Sequence, residues 1–331
     1  MKTIAVIFGG DSGEFEISLE SGQVVSSTLR EAGYRVFPVC IRNGKWWHEC
    51  RHGNEYEVDK NDFTLPMVSE KVEFDAAFIA IHGTPGEDGK LQGYFDMIGM
   101  PYTTCSASVS ALTFNKYYCK QVVAALGGKV ARSVLIHAAN RSEQEPVAQQ
   151  LNYPLFVKPN NGGSSVGMSR LAGPDEWDAA LEKAFREDDQ VLIEEYIPGR
   201  EITCGVYREG DEVKALPITE IISSNPFFDF EAKYQAGKAE EVVPANIPGE
   251  IAEACSRLSV NLYKGLSCRG VVRFDYIFND QGIFFLEVNT VPGMTHASLI
   301  PKMAAAAGIQ LADLFTLLVE QATFDGHKAE S

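Results

Sequence analysis

The chain has 331 residues, of which 45% are hydrophobic and 22% are charged, and its formal net charge is −16 at pH 7. This length predicts two or three domains and a core large enough for an enzyme, while the acidic balance without a basic run argues against a nucleic-acid partner. No apolar run has the length of a membrane span, and seven scattered cysteines without a C-x-x-C pair predict reduced thiols and a cytoplasmic protein.

The first hundred residues alternate between strand and helix patterns. In chain order they predict a strand at 2–8, a helix Phe15–Ala32, a strand Tyr34–Ile41, a buried strand Phe74–Ile81 and a short helix Gly93–Ile98. The opening strand has no small-residue cleavage site and therefore does not resemble a signal peptide. The alternation predicts a parallel sheet with right-handed crossovers, and we place this first domain at 1–101.

Two further domains are predicted, at 102–190 and 191–331. The second contains a mostly helical stretch Ser106–Leu126, strands Ala131–Ile136 and Leu155–Lys158, and an amphipathic helix Pro174–Arg186. The third is strand-rich from Gln190–Glu195 to Val291 and ends in an apolar helix Leu311–Ala322. The segment 223–247 lacks periodicity and is dense in aromatic residues, which favours a functional lid over a linker.

A loop of small residues follows the strand that ends at Lys158. It reads KPNNGGSSVGMS at 158–169. Small side chains leave backbone amides free to form an anion-binding nest, and the lysine adds a charge. The lysine precedes the glycines, unlike in a Walker A loop, and G-x-G-x-x-G is absent. Phosphate binding and an ordinary hairpin tip both fit this pattern.

Two alternating strands in 271–295 predict a hairpin with the loop Asp280-Gln281-Gly282. Its register places Asp275 opposite Glu287 and Arg273 opposite Asn289, all on one face. The other face would carry the apolar residues Phe274, Tyr276, Phe278, Phe284, Leu286 and Val288. Because opposed carboxylates repel each other, we expect a divalent cation such as Mg²⁺ between them. The alternative is a solvated surface on which Arg273 neutralises one charge.

Several of these segments resemble a known family. KPNNGGSSVGMS, VLIEEYIPGREIT, DFEAKY and the block RFDYIF…FFLEVNTVPGMT are similar to ATP-grasp ligases. With GGDSGEFEISL and IHGTPGEDGKLQG, the resemblance narrows to the D-alanine–D-alanine ligase family and extends from residue 4 to about 320. It implies an α/β fold, α+β in the later domains: an N-terminal Rossmann-like parallel sheet followed by a two-part ATP-grasp fold.

The resemblance also implies a nucleotide site. The residues that match the ATP contacts are Lys116, Lys158, Ser164, Ser165, Glu194, Glu195, Ile197, Glu201, Lys233 and Asn289. Asp275, Glu287 and Asn289 match the ligands of Mg²⁺ or Mn²⁺, with two ions expected. Glu195 stands where relatives often have lysine, and Phe228 where some have tyrosine.

Substrate and catalytic residues are implied in the same way. Glu14 and His82 match the site of the first amino acid, and Lys233, Ser298 and Leu299 that of the second. The matched catalytic group is Glu14, Ser164, Tyr234, Arg273 and the amide of Gly293. Its reaction is the ATP-dependent joining of two D-alanines through an acyl phosphate, for peptidoglycan precursors, by a cytoplasmic homodimer.

Other functions remain open at this point. Within the same fold, D-alanine–D-serine and D-alanine–D-lactate ligases share the motifs, although the DFEAKY lid favours an amine nucleophile. GGDSGE after the first strand suggests a dinucleotide-dependent oxidoreductase, but its spacing fails the fingerprint. A nucleotide-binding regulator is a third class, and Arg273 argues against it because binding alone does not need an oxyanion donor.

Overall fold

The computed structural model describes residues 1–223 and 239–329 of the chain. Residues 1–98 form β1 (Thr3–Gly9), α1 (Phe15–Glu31), β2 (Arg35–Arg42), β3 (Lys45–Glu49), β4 (Glu55–Glu57), β5 (Leu65–Pro66), β6 (Lys71–Val72), β7 (Ala76–Ile79) and α2 (Lys90–Ile98). Five strands make a sheet in the order β4-β3-β2-β1-β7, in which β1 is parallel to β2 and β7. The predicted parallel sheet is thus confirmed at its centre, while β3 and β4 add an antiparallel edge.

Residues 107–195 form a second, antiparallel layer. The elements are α3 (Ala107–Phe114), α4 (Lys116–Ala125), β8 (Lys129–Val130), β9 (Ser133–His137), α5 (Arg141–Ala148), β10 (Leu155–Pro159), β11 (Ser169–Leu171), α6 (Trp177–Phe185) and β12 (Gln190–Glu195). Four strands pair in the order β11-β10-β12-β9. The apolar face of α6 packs with Val157 and Ile193 in one core cluster, which explains the amphipathic pattern of that helix.

The remaining described residues, 199–223 and 239–329, form a seven-stranded sheet and three helices. The elements are β13 (Arg200–Glu209), β14 (Glu212–Ala215), β15 (Thr219–Ser223), β16 (Ala239–Val242), α7 (Gly249–Gly265), β17 (Val271–Asn279), β18 (Gly282–Asn289), α8 (Leu299–Ala306) and α9 (Leu311–Ala329). The strand order is β16-β15-β13-β17-β18-β8, with β14 paired to β13. Strand β8 therefore reaches this sheet from an earlier part of the chain.

The three-domain division stays a prediction, but sheet membership differs from it in two places. Strand β12 was assigned to the third domain, yet it pairs with β10 and β9 in the four-stranded sheet. Strand β8 lies within the predicted second domain and pairs with β18. The hydrophobic pattern of a strand identifies the strand, whereas its sheet partner depends on contacts distant in sequence.

The predicted lid at 223–247 is partly ordered as a strand. Strand β16 covers Ala239–Val242 and pairs antiparallel with β15. The expectation of no regular structure is therefore wrong at 239–242, because a four-residue edge strand is too short to show a period, whereas the lid role stays a prediction. The part at 224–238, with Phe228, Lys233 and Tyr234, lies outside the described residues.

The predicted helix Ser106–Leu126 is two helices that meet at Asn115. This residue has extended backbone angles (φ −84°, ψ 101°), and its side-chain oxygen accepts the backbone N–H of Tyr118 at 3.0 Å. Asn115 is therefore the N-cap of α4. Lys116, expected inside a helix, is instead its first residue and lies beside the glycine-serine loop.

Replacing Asn115 by alanine should lower the free energy of unfolding by about 1 kcal/mol, because the cap of α4 is lost. Urea unfolding followed by circular dichroism measures this. Asn115→Asp is the matched control, since aspartate caps helices as well as asparagine does. Equal losses in the two variants would contradict the capping role.

The hairpin of β17 and β18 has the two predicted residue pairs, but its turn and its register differ from the prediction. Asp275 pairs with Glu287 and Arg273 with Asn289, as expected. The turn, however, contains two residues rather than three, because Asn279 pairs with Gly282, and a bulge beyond Asp275 restores the register. The bulge turns Phe285 into the core and leaves Leu286 on the cavity wall. The predicted apolar-face positions of Phe284 and Leu286 were therefore wrong, since a bulge reverses the alternation.

The last helix covers the first sheet. Phe315 of α9 packs edge to face with Phe78 of β7, with ring centroids 5.4 Å apart. Lys2 donates to Glu320 at 2.5 Å at the same interface. A single core cluster contains residues of β1, α1, β17, α8 and α9. The two ends of the chain are thus packed together.

Among the described helices, none by itself combines the length and apolar composition that crossing a membrane requires. Helix α8 and the Leu311–Phe324 part of α9 meet that test only as a pair, and the pair is bent by 109°.

Candidate active site

A cavity of about 780 Å³ lies between the four-stranded and seven-stranded sheets. Its size is typical of a small-molecule site. Predicted site residues in its wall are Glu14, Lys116, Lys158, Ser164, Ser165, Glu194, Glu195, Ile197, Glu201 and Glu287. The glycine-serine loop and Glu287 of the hairpin therefore border the same space, whereas Asp275 and Asn289 are not part of the cavity wall. Lys233 and Tyr234 lie outside the described residues.

The glycine-serine loop has a strained, left-handed backbone. Positive φ angles occur at Gly162 (126°), Ser164 (52°), Ser165 (58°) and Gly167 (73°). Such angles are uncommon for serine and are typical of functional loops. The loop is held at its start, where Asp188 accepts the backbone and side-chain N–H groups of Asn161 at 2.6 and 2.9 Å. Residues 162–166 of the loop line the cavity, as expected for a phosphate nest.

Two residues outside the loop contact it. Lys116 Nζ donates to the carbonyl oxygen of Gly162. A β-carbon added at Gly163 would lie 3.2 Å from Glu14 Oε2, so the carboxylate of Glu14 lies against the loop. Ser12 orients this region, since its hydroxyl donates to His82 O at 2.7 Å and accepts the N–H of Glu14 at 3.2 Å. The predicted first-substrate residues and the phosphate loop are therefore neighbours.

A buried charge cluster lies where β10 and β12 border the cavity. Glu194 is ion-paired with both Lys158 and Lys120. Burial alone would raise its pKa, but the two ammonium groups hold the pKa of Glu194 at about 2. Lys120 was not predicted from the sequence, although it follows Lys116 by one helical turn on α4.

The side chain of Glu195 is hydrogen-bonded to neighbouring residues and does not replace the lysine that relatives often have at this position. Its Oε1 accepts Arg132 Nη1 at 3.0 Å and the backbone and side-chain N–H groups of Asn152 at 2.9 and 2.8 Å. Glu195 belongs to β12 and is itself part of the cavity wall. A contact through the main chain would therefore not be affected by the departure from lysine.

Arg273 and Asp275 form a bidentate pair on β17. Arg273 Nε and Nη2 donate to the two oxygens of Asp275 at 2.9 and 2.8 Å, and Thr203 Oγ1 donates to Asp275 Oδ1 at 2.5 Å. Although burial lowers it, the carboxylates of Asp275 and Glu287 raise the pKa of Arg273 above its ordinary value. This guanidinium is fixed and permanently charged, which are properties that suit an oxyanion donor.

The carboxylate face has the donor set of a hard divalent cation. Asp275 is directly opposed to Glu287, and Arg273 donates to both oxygens of Asp275. Asn289 Oδ1 accepts the N–H of Val291 at 3.0 Å and keeps a second lone pair. Within the described residues no three His, Cys, Asp or Glu side chains form a metal-binding group. Two carboxylates and an amide suit Mg²⁺, which completes its shell with water and phosphate oxygens.

A chain of hydrogen bonds connects the turn after β18 to α1 and to the loop after β7. Met294 N–H donates to Ser21 Oγ at 3.2 Å, Ser21 Oγ lies 3.2 Å from His82 Nε2, and His82 Nδ1 lies 2.8 Å from Val291 O. A carbonyl can only accept, so Nδ1 carries the proton and Nε2 accepts from serine. Burial lowers the pKa of His82, which fits this neutral form.

Gly293 and Ser298 meet at the start of α8. A β-carbon at Gly293 would lie 2.7 Å from Ser298 Oγ, so a larger residue would displace that hydroxyl. Ser298 Oγ also lies 2.8 Å from Thr295 Oγ1 and accepts Thr295 N–H at 3.2 Å. The helix then begins at Leu299. The roles of these residues toward substrates remain predictions.

Glu87 belongs to this site but was not singled out from the sequence. Its Oε2 accepts Gly83 N–H at 2.6 Å, and its Oε1 accepts Val291 N–H at 3.3 Å. Burial, and then the charge of Glu14, raise the pKa of Glu87 to about 8. Its place in the segment IHGTPGEDGKLQG was the available signal.

Glu87 should make stability depend on pH. Its folded pKa exceeds its unfolded value, so the folded state binds the extra proton and its contribution disappears as pH rises from about 4.5 to about 8. We expect the free energy of unfolding to fall less steeply with pH in Glu87→Gln than in the unchanged protein. Urea unfolding at pH 5.5, 6.5, 7.5 and 8.5 measures the two slopes, and parallel slopes would contradict this prediction.

The sequence matches two family models that together cover nearly the whole chain. These are described as "D-ala D-ala ligase N-terminus", over residues 3–105, and "D-ala D-ala ligase C-terminus", over residues 124–320. The chain is 42% identical to the D-alanine–D-alanine ligase of Phocaeicola vulgatus, over 96% of this chain and 98% of that protein. It is also 42% identical to the ligase of Flavobacterium johnsoniae, over 97% and 99%.

Solved structures agree with the fold. The VanG D-Ala:D-Ser ligase from Enterococcus faecalis superimposes with a TM-score of 0.88 at 33% identity, over 97% of this chain and 99% of that one. The D-alanyl-alanine synthetase A from Vibrio cholerae gives 0.87 at 28% identity, over 98% of both chains. The sequence matches, together with the cavity between the two sheets, show that the chain belongs to the D-alanine–D-alanine ligase family, whose members use ATP.

Proposed function

We propose that the protein joins two D-alanine molecules into D-alanyl-D-alanine with ATP, supplying a peptidoglycan precursor. The observation that carries this proposal is one cavity bordered by a lysine-flanked loop, by Glu287 of the opposed carboxylate pair and by the region of Glu14. This is the arrangement that activation of a carboxylate by a nucleoside triphosphate requires.

The first step would convert a carboxylate into an acyl phosphate. The carboxylate oxygen of the first D-alanine attacks the γ-phosphate of ATP, and ADP leaves. Glu14 holds the ammonium group of that alanine, while Lys116, Lys158 and the amides around Ser164 hold the phosphates. Asp275, Glu287 and Asn289 would hold Mg²⁺ or Mn²⁺, which when bound offsets phosphate charge. Two ions are expected.

The second step would form the peptide bond. The amine of the second D-alanine attacks the acyl carbonyl, and phosphate leaves. Arg273 and the Gly293 amide donate to the oxyanion that develops. Ser298, at the start of α8, is placed to receive the second carboxylate, since a helix N-terminus favours an anion. We propose that Lys233, Tyr234 and Leu299 complete this subsite.

An ADP-release assay tests the activity. D-Alanine should stimulate ADP release and L-alanine should not, because Glu14 and the oxyanion donors fix one stereochemical arrangement. D-Serine and D-lactate, each supplied with D-alanine, distinguish the alternatives, of which D-serine is favoured by the similarity to the VanG ligase. Mass spectrometry of the product identifies the dipeptide, and ADP release that is indifferent to all four compounds would refute the proposal.

The state of assembly is part of the proposal. We expect a cytoplasmic homodimer that acts on small molecules and binds no nucleic acid. Sedimentation velocity measures the mass of the particle, and a monomer at micromolar concentration would contradict the dimer.

A further inference from the structure

The buried cluster of Lys120, Glu194 and Lys158 carries a net positive charge. Lys120 is 1% exposed and Glu194 is 4% exposed, and the single carboxylate pairs with both ammonium groups. One anion between two cations leaves one positive charge. Of the three, Lys158 and Glu194 line the cavity, whereas Lys120 lies behind them on α4.

A buried lysine must be stabilised by the groups around it. Removing an ammonium group from water has a large cost unless a carboxylate compensates it. Glu194 compensates Lys120 here, and burial nevertheless lowers the pKa of Lys120. A cluster of Lys158 and Glu194 alone would be an ordinary ion pair. It would not require the buried Lys120, and it would have no net charge. Such a pair would hold Lys158 in place but would cancel its attraction for a polyphosphate.

We infer that Lys120 is a positioning residue for nucleotide binding: it neutralises Glu194 so that Lys158 is held by that carboxylate and still presents a positive charge to the cavity. This inference rests on the proposed function, because the ligand it serves is a nucleoside polyphosphate. Glu287 lies close enough that its charge, like that of Glu194, raises the pKa of Lys158. Without Lys120, therefore, the carboxylate of Glu194 would cancel the charge of Lys158.

The sharpest test compares a charged and an uncharged ligand. Lys120→Met should weaken the binding of ADP by about ten- to a hundredfold, as expected for the loss of one unit charge near phosphate. Binding of adenosine should change by less than about threefold, because adenosine carries no charge. Isothermal titration calorimetry gives both dissociation constants. If Lys120 only shapes the pocket, ADP and adenosine weaken alike, and the inference is wrong.

A double variant supplies an independent check. Lys120→Met combined with Glu194→Gln removes one positive and one negative charge, so Lys158 again supplies a net positive charge. The ratio of adenosine to ADP dissociation constants should return toward that of the unchanged protein. A double variant no better than Lys120→Met would overturn the charge argument.

Three further variants control for misfolding, for charge and for nonspecific effects of substitution. If Lys120→Met does not fold, Lys120→Gln replaces it, because the amide can still donate to Glu194 and should show the same fall in the ratio. Lys120→Arg keeps the charge and should keep the ratio. Lys264→Met, at an exposed position on α7, is the matched control and should change neither constant.

The outcomes also separate this inference from the proposed function. ADP binding by the unchanged protein without D-alanine-dependent turnover would refute the proposed reaction and leave Lys120 testable. Turnover with D-alanine and an unchanged ligand ratio in Lys120→Met and Lys120→Gln would refute the role of Lys120 alone.

Discussion

Replacing Arg273 by alanine is expected to lower kcat by about two to three orders of magnitude, the usual effect of losing one oxyanion donor. The same change leaves Asp275, 6% exposed, without its bidentate partner, and this adds to the loss. Steady-state ADP release at saturating D-alanine measures kcat. A decrease smaller than about tenfold would contradict the assignment of Arg273 as oxyanion donor.

Two substitutions control for charge and for general damage. Arg273→Lys keeps the charge but loses the planar fork, so its kcat should lie between those of the alanine variant and the unchanged protein. Arg257→Ala removes an exposed arginine of α7 that pairs with Glu253 at 3.3 Å, far from the cavity wall, and should leave kcat unchanged.

Glu287→Gln is expected to raise the Mg²⁺ concentration needed for half-maximal rate by about 100-fold or more, since even residues that only orient a metal ligand contribute 10–100-fold to affinity. The rate of ADP release as a function of Mg²⁺ concentration measures this. Binding of Mn²⁺ in the presence of ADP, followed by electron paramagnetic resonance, tests the same residue without turnover. Glu253→Gln is the exposed control, and an unaltered metal requirement in Glu287→Gln would refute the metal site.

The central part of the fold could be predicted because its patterns are local. The hydrophobic patterns of β1, α1 and β2 predict these three elements directly. The opposition of Asp275 to Glu287 follows from hairpin geometry. The bulge at Leu286 could not be predicted, since one extra residue in a strand has no marker in an apolar run. Nor could the pairing of β8 with β18, because Lys129–Val130 is two residues long and its partner lies more than 150 positions away.

The candidate site also combines residues that the sequence predicts with residues that it does not. The loop after Lys158 was recognisable from its composition, and Arg273 from its place beside Asp275. Lys120 and Glu87 were missed because a lysine on a helix and a glutamate in a turn are ordinarily solvated. Only burial, which is a property of the folded chain, distinguishes Lys120 from the exposed Lys264.

The packing of α9 on β7, and of Lys2 against Glu320, has a consequence for biosynthesis. A ribosome completes the first sheet more than 200 residues before it makes the helix that covers it. The apolar surface of that sheet must therefore stay uncovered while the residues between β7 and α9 are made, when aggregation is the main hazard. We expect chains that stall before residue 311 to depend on chaperones far more than the finished protein does.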